Sequence, residues 1–420
     1  MAETRKVYLD HSATTPADRR VVEAMLPFLT EKFGNASSVH SFGQEARAAV
    51  DRARREVAAL IGARANEIVF VSGGTEANNL ALRGITDASQ SRKNLSNGSS
   101  TTKGHVITSS IEHSSVRGIS DELEKRGWEV TRLPAYEEGI VRIEDLRAAL
   151  RSDTVLISVM LANNEIGTLQ PISEIGELVR EERAERTTGR QLWFHCDAVQ
   201  AAGRIPLDTE TLGCDLLSLS AHKLYAPKGT GALFVRRGVR LVSQNVGGHQ
   251  EREKRAGTEG VPGIVAFGMA AKLAREELAE RSEHERRLRD RFEAGVTERI
   301  GDIVFNGDRA RRLPHLSNIS FRFIEGEGLL ISLDLQGVAV STGSACSSGT
   351  LEPSPVIQAL GRNDELARGA IRFSFGKDNT AEDVDYVLEV LARVVEKLRQ
   401  LSPLNKVSSM TKVAEGLHSR

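Results

Sequence analysis

Asp215-Leu216-Leu217-Ser218-Leu219-Ser220-Ala221-His222-Lys223 is a short apolar run that ends on small polar residues, a histidine and a lysine. The run is too short for a helix of ordinary length and reads as a strand bounded by a turn. Similar runs recur on both sides of it: Glu67 to Ser72, His105 to Ser109, Thr154 to Met160, Leu192 to Cys196 and Gly231 to Val235. Stretches with helical spacing lie among them. Gln44 to Ile61 places Ala46, Ala49, Val50, Ala53, Val57 and Leu60 at such intervals, and Ser114 to Lys125 and Ile172 to Arg186 are similar. The alternation predicts an α/β domain whose mostly parallel sheet is covered by helices. Only a short loop precedes Gly231 to Val235, which predicts that this last strand runs antiparallel.

Beyond the sheet, Ala266 to Ile300 is long, charged and mostly helical, and is expected to lead into a second domain. Strands near Asn318 to Phe323, Val338 to Ser341 and Ala370 to Phe375 and a closing helix Ala381 to Leu401 would build that domain. Thr86 to Lys103 is rich in serine and asparagine and reads as a surface loop or insertion. Ser402 to Arg420 has weak periodicity and reads as a candidate mobile tail. No internal repeat is found.

The chain has 420 residues, enough for two or three domains, and its 40% hydrophobic content supports a large core. A formal net charge of -1 implies no strongly basic face, which argues against nucleic acid as the main ligand. No apolar run is long enough to span a bilayer. Met1 to Lys6 leads straight into Val7-Tyr8-Leu9, with no signal-peptide pattern. Three cysteines, Cys196, Cys214 and Cys346, do not read as a disulfide framework, so a reducing cytoplasm is the expected setting.

Polar groups collect where the strands end. Ser72-Gly73-Gly74-Thr75-Glu76-Ala77-Asn78-Asn79 follows a strand and opens a helix, where free N–H groups could hold a phosphate with the Thr75 hydroxyl. Its ordinary reading is a strand–helix turn. Asp197, with Gln200 three residues on, would point into a ligand crevice or merely cap a turn. His113 could equally be a capping or core histidine, and Asn163-Asn164-Glu165-Ile166-Gly167 an ordinary turn. Lys223 taken alone is a solvated lysine; taken with the others it suggests a Schiff base to pyridoxal phosphate. Cys346 lies in Ser341-Thr342-Gly343-Ser344-Ala345-Cys346-Ser347-Ser348-Gly349, a loop of tiny residues with little apolar cover for a structural thiol. It reads as a nucleophile that travels, whereas Cys196 and Cys214 read as packing residues. The combination suggests an enzyme that takes sulfur from an amino acid. No metal site is assigned.

With these motifs the chain resembles the cysteine desulfurases of the NifS/IscS type, within the fold-type I pyridoxal-phosphate enzymes. The resemblance runs from Tyr8-Leu9-Asp10-His11-Ser12-Ala13-Thr14-Thr15-Pro16 to Ile371-Arg372-Phe373-Ser374. Between them it takes in Phe33-Gly34-Asn35, Gly74-Thr75-Glu76-Ala77-Asn78, Asp197-Ala198-Val199-Gln200, Ser220-Ala221-His222-Lys223, Arg255-Ala256-Gly257-Thr258 and Gly343-Ser344-Ala345-Cys346. It implies a large cofactor-binding domain with a mixed, mostly parallel sheet over residues 15–262. Residues 1–14 and 263–401 would form a smaller α+β domain carrying the Cys346 loop.

The resemblance also implies roles. Lys223 carries the cofactor and His113 stacks on its ring. Asp197 pairs with the ring nitrogen, and Gln200 bonds the phenolic oxygen with Asn164 close by. Gly74, Thr75, Glu76, Ser220 and His222 belong to the cofactor site, with Thr75, Ser220 and His222 on the phosphate. Thr258 reaches the phosphate from the other subunit of a homodimer, and Arg372, with Asn164, binds the substrate carboxylate. The implied reaction converts L-cysteine to L-alanine and leaves the sulfur as a persulfide on Cys346. An acceptor such as an Fe–S scaffold protein then takes it.

The residues after Cys346 resemble the branch of the family with a long mobile loop. Residues 86–103 are longer than in compact relatives, and the C-terminal tail does not match the scaffold-docking end of the housekeeping enzyme. A selenocysteine lyase or another class-V aminotransferase stays open as an alternative, since the same fold accepts selenium. A non-catalytic sulfur-relay protein is disfavoured by the presence of Lys223, Asp197 and Cys346 together.

Overall fold

The computed structural model describes residues 5–91, 103–186, 190–343 and 353–403. Its strands, in chain order, are β1 (Val7–Tyr8), β2 (Ile68–Val71), β3 (His105–Ser109), β4 (Glu129–Leu133), β5 (Thr154–Met160), β6 (Trp193–Asp197), β7 (Leu216–Ser220), β8 (Gly231–Val235), β9 (Ile303–Phe305), β10 (Leu316–Phe321), β11 (Val338–Ala339) and β12 (Ala370–Ser374). Seven of them form one sheet in the order β2-β8-β7-β6-β5-β3-β4. β8 runs antiparallel to both of its neighbours, and the other pairs are parallel. The expected antiparallel strand is therefore present, and it lies inside the sheet.

The apolar runs are continuous because both faces of this sheet are buried. Alternate side chains enter two different cores. Ile68, Phe70, Leu217, Leu219 and Phe234 meet the helices Ser41–Leu60 and Val261–Glu276. Val69, Val71, Leu216, Leu233 and Val235 meet the helices Gly74–Ser91 and Ser114–Lys125. Burying each such side chain contributes about 1.5–3 kcal/mol. A separate core around Phe292, Ile319, Phe321, Phe373, Phe375 and Leu391 is built on the antiparallel sheet β12-β10-β9 and the closing helix Ala381–Leu401. β1 crosses to this side and pairs in parallel with β11.

Several expectations are corrected. Thr86 to Ser91 is helix, not loop: the Thr86 hydroxyl donates to the carbonyls of Leu82 (2.9 Å) and Arg83 (3.1 Å), and the Ser89 hydroxyl to that of Thr86 (2.8 Å). Those backbone bonds satisfy the polar side chains inside a helix. The rest of that segment, 92–102, lies outside the described residues, as do Cys346 and residues 404–420 of the tail. The long helical stretch is two helices, Val261–Glu276 and Leu278–Arg299, parted at Glu277. β4 was not anticipated: it is an edge strand whose Glu129 and Arg132 are exposed. Cys196 and Cys214 are buried and free, as packing residues should be.

Candidate active site

β2, β3, β5, β6 and β7 point the same way, so their carboxyl ends share one edge of the sheet, where open α/β folds bind ligands. At the end of β2 the chain turns through Gly73 into the 18-residue helix Gly74–Ser91. Space is tight at Gly74 and at Gly231, the β8 residue that presses on the turn. A Cβ on Gly231 of β8 would stand 2.6 Å from Gly73 Cα, and one on Gly74 would stand 2.8 Å from Val199 Cγ2. The buried Ser220 hydroxyl at the end of β7 faces the same turn, 3.9 Å from where a Gly73 Cβ would be. Thr75 is exposed at the helix start. Glu76 is held by the protein: its carboxylate accepts from the Ser72 N–H (2.6 Å), Arg255 Nε (2.9 Å) and Asn245 Nδ2 (3.2 Å). It braces the turn and ties it to the loop that carries the exposed Thr258.

Asp197 ends β6 and is 5% exposed. Oδ2 accepts from Asn78 Nδ2 (2.7 Å), and Oδ1 accepts from the Val199 N–H (3.0 Å), so the residue caps its turn and is also held from the neighbouring helix. Asn78 in turn donates to the Ser115 hydroxyl (2.8 Å). His113 caps the helix Ser114–Lys125, its Nδ1 accepting from the Ser115 N–H (3.2 Å) and lying 2.8 Å from the Ser115 hydroxyl. These partners assign the proton of the neutral ring to Nε2. Burial holds the His113 imidazole below its usual range; Lys223 and Arg117 push the same way, and the Asp197 charge opposes them. Asp197 and Lys223 therefore both act electrostatically on His113.

Lys223 follows β7 in a short 3-10 turn. Its amine donates to the carbonyls of Ser12 and Ala13, the latter at 2.7 Å. Gln200 Nε2 donates to the same Ser12 carbonyl (3.0 Å). His222 Nδ1 lies 3.1 Å from the Thr14 hydroxyl, and burial pushes its imidazole down to about 4. The segment from Leu9 to Thr15 thus lies against the lysine, and it reaches the second sheet as well. The Ser12 N–H donates to the Ser374 hydroxyl (2.9 Å), and the Thr15 hydroxyl donates to the His222 carbonyl (2.8 Å).

Arg372 on β12 is 3% exposed. It donates to the Asp10 carboxylate (2.7 Å) and, through the other terminal nitrogen, to the Asn164 carbonyl (2.8 Å). Its Nε is buried with no hydrogen-bond partner among the described residues. Asn163, fully buried, fixes the turn after β5 by donating to the Ile111 carbonyl (2.8 Å) and accepting from the N–H groups of Glu165 (2.8 Å) and Ile166 (3.0 Å).

The strand ends bring Lys223, Asp197, His113, Asn164, Ser220 and the glycine turn together. The sequence did not single out Asn78, Asp10, Ser12 or Ser115, which hold them. Asn78 had a visible signal, one helical turn after Gly74, and Ser115 lies two residues from His113; Asp10 and Ser12 act through distant parts of the chain. The set fits pyridoxal phosphate. An amine can bond its aldehyde, and a buried carboxylate can pair with its ring nitrogen. The crowded glycine turn, opening an 18-residue helix beside the Ser220 hydroxyl, suits a phosphate. No cluster of three metal-ligating side chains occurs among the described residues.

Residues 7–387 match the family model of aminotransferase class-V. A cysteine desulfurase IscS of Dictyoglomus turgidum is 51% identical over 95% of this chain and 97% of its own length. One of Methanosarcina thermophila is 48% identical over 96% and 95%. A solved NifS-like protein superposes with a TM-score of 0.84 at 36% identity, covering 93% of this chain and all of the other. The chain belongs to the class-V aminotransferase family. Within it, the chain stands with the cysteine desulfurases of the NifS/IscS type.

Proposed function

We propose that this chain is a pyridoxal-phosphate-dependent cysteine desulfurase that moves sulfur from L-cysteine to Cys346 and then to an acceptor. The observation that carries this reading is the gathering of Lys223, Asp197 and His113 at the carboxyl ends of parallel strands of one sheet, in a chain half identical to IscS proteins. When bound, the cofactor supplies an electron sink that makes the substrate Cα proton acidic and loosens its carbon–sulfur bond.

The protein's own groups do the rest. The Lys223 amine anchors the cofactor and, once released, takes the Cα proton. Asp197, held by Asn78 and the Val199 N–H, keeps a negative charge at the ring nitrogen. Gln200 and Asn164 serve the phenolic oxygen, while Gly74, Thr75, Ser220 and His222 form the phosphate cradle and Glu76 braces it. Arg372 takes the substrate carboxylate through its forked donors. His113 stacks on the ring and presents Nε2–H; accepting the Cys346 thiol proton would first require it to give that proton up. The Cys346 thiolate attacks the substrate sulfur. A sulfur–sulfur bond forms, the carbon–sulfur bond breaks, and its electron pair stays with the β carbon, which takes up a proton; return of a proton to Cα, for which Lys223 is placed, completes alanine.

The sulfur acceptor fits an Fe–S scaffold or thio-cofactor carrier. A homodimer, with Thr258 reaching the neighbouring subunit's phosphate site, is supported by the exposure of Leu29, Phe33, Val39 and Val246 in the single chain. A cytoplasmic setting is consistent with two buried free thiols and with the lack, among the described residues, of any helix long and apolar enough to cross a membrane.

Alanine and sulfide release from L-cysteine with dithiothreitol tests the reading. Cys346→Ala should keep the cofactor's absorbance and form no alanine from cysteine. Full activity in that variant would remove Cys346 as sulfur carrier and bring direct elimination or selenocysteine chemistry forward.

A further inference from the structure

Glu165 occupies the tip of the turn after β5, and its carboxyl is buried. The Ser354 hydroxyl donates to Oε2. On the other side, a Cβ on Gly343 would lie 2.9 Å from the same oxygen. Gly343 has φ +85°, where side chains are rarely tolerated, so this position requires glycine for backbone and for space. Gly343 is the last described residue before the segment that contains Cys346, and Ser354 follows Pro353, the first described residue after it.

Each of the three contacts is fixed in turn. The Glu165 N–H donates to Asn163 Oδ1 (2.8 Å), and its carbonyl accepts from Asn318 Nδ2 (3.0 Å). The Gly343 N–H donates to the Ser341 hydroxyl (3.0 Å), and Ser341 exchanges backbone bonds with Arg372 at 2.7 and 3.3 Å. Ser354 caps the short helix Pro355–Ala359, accepting from the Ile357 N–H (3.3 Å). A buried carboxyl is costly, and packing alone would not select one here. Burial raises the Glu165 carboxyl above its usual range, while the Ser354 bond and the Arg372 charge draw it back.

We propose that Glu165 is a positioning residue for sulfur transfer: its carboxyl bonds Ser354 just after the Cys346 segment and lies against Gly343 just before it, at the turn whose Asn164 carbonyl holds Arg372. One rigid corner would then register the nucleophile's chain against the group that binds the substrate carboxylate. The proposal rests on the reading of Cys346 as the sulfur acceptor.

The test uses the holoenzyme in two assays. Single-turnover alanine formation from L-cysteine requires Cys346. The shift of the cofactor's absorbance on titration with L-alanine requires Arg372 and the cofactor but no thiol. Glu165→Ala and Ser354→Ala should slow alanine formation by about 10- to 100-fold, the scale of an ångström's misplacement, with L-alanine affinity unchanged. Glu165→Gln keeps an acceptor for Ser354 and should recover most of the rate. An unaltered single-turnover rate, or a rate and an L-alanine affinity that fall together, overturns the proposal. Cys346→Ala runs alongside: if it still forms alanine at the wild-type rate, the reading of Cys346 fails and the positioning role fails with it. Should Glu165→Ala not take up cofactor, Ser354→Ala carries the same comparison.

Discussion

Glu112 neighbours His113 in sequence but faces the interior, at 1% exposure. Oε1 accepts from the Ser109 hydroxyl (2.6 Å) and the Met160 N–H (2.9 Å), while Oε2 has no partner among the described residues. Burial pushes the carboxyl up to about 8 from 4.5; the two hydrogen bonds oppose this, and the Asp197 charge adds to it. The native protein therefore keeps a proton that the unfolded chain loses above about 4.5. This group's contribution is fully present below that pH and is lost as pH rises through about 8. Glu112→Gln should flatten the fall in urea midpoint over that interval. Identical pH slopes in the two proteins would mean that the native carboxyl is ionised. A neutral Glu112 also leaves Asp197 as the lone negative charge of this pair, which suits a ring nitrogen that must stay protonated.

At the scale of elements, β8 does more than fill the sheet. Its first residue presses on the glycine turn, since a Cβ on Gly231 would meet Gly73 Cα at 2.6 Å and the Leu219 carbonyl oxygen at 2.8 Å. Gly231→Ala should displace the turn and weaken pyridoxal phosphate binding by about tenfold or more, given the 1–3 kcal/mol typical of overpacking. Equilibrium dialysis of the resolved enzyme would measure it, and unchanged affinity would show that the turn gives way freely. Much of this layer was legible. β3, β5, β8 and the helices Ser114–Lys125 and Ala381–Leu401 begin and end where their apolar spacing does. β4 was not, because Glu129-Val130-Thr131-Arg132-Leu133 lies at an edge and carries no continuous apolar run. β1 was not, because two residues become a strand only through pairing with β11 across the chain. The strand-end residues of the site were readable for the same local reason. The Asp10–Arg372 pair and the Ser12 carbonyl were not, since nothing near either residue announces a partner more than 200 positions away.

Across the whole molecule, one buried ion pair joins the two sides. Arg204 follows β6, and Glu285 lies on the helix Leu278–Arg299, whose Phe292 and Val296 belong to the second core. Their side chains are 5% and 0% exposed. Beside them the Tyr225 ring, two residues after Lys223, is approached by Arg204, Arg281 and Lys377 at 5.6, 5.3 and 5.2 Å from its centre. Glu285→Ala strands a buried guanidinium and should cost about 3–5 kcal/mol, while replacing both partners with apolar residues should restore most of it. Urea unfolding of the two single variants and the double variant measures the coupling; additive losses would show that the pair acts as two separate groups.

The segment from Leu9 to Thr15 has a further consequence, which concerns how the protein is made. These residues leave the ribosome well before their partners do. Yet Leu9 needs Ala339 and Ser374, Asp10 needs Arg372, and Ser12 must meet both Lys223 and Ser374 before any of them has its place. Synthesis proceeds from the N-terminus. Leu9 to Ser12 therefore wait for these partners until β12 has emerged. The lysine's surroundings can be completed only after β12, about 150 residues beyond Lys223, has been made.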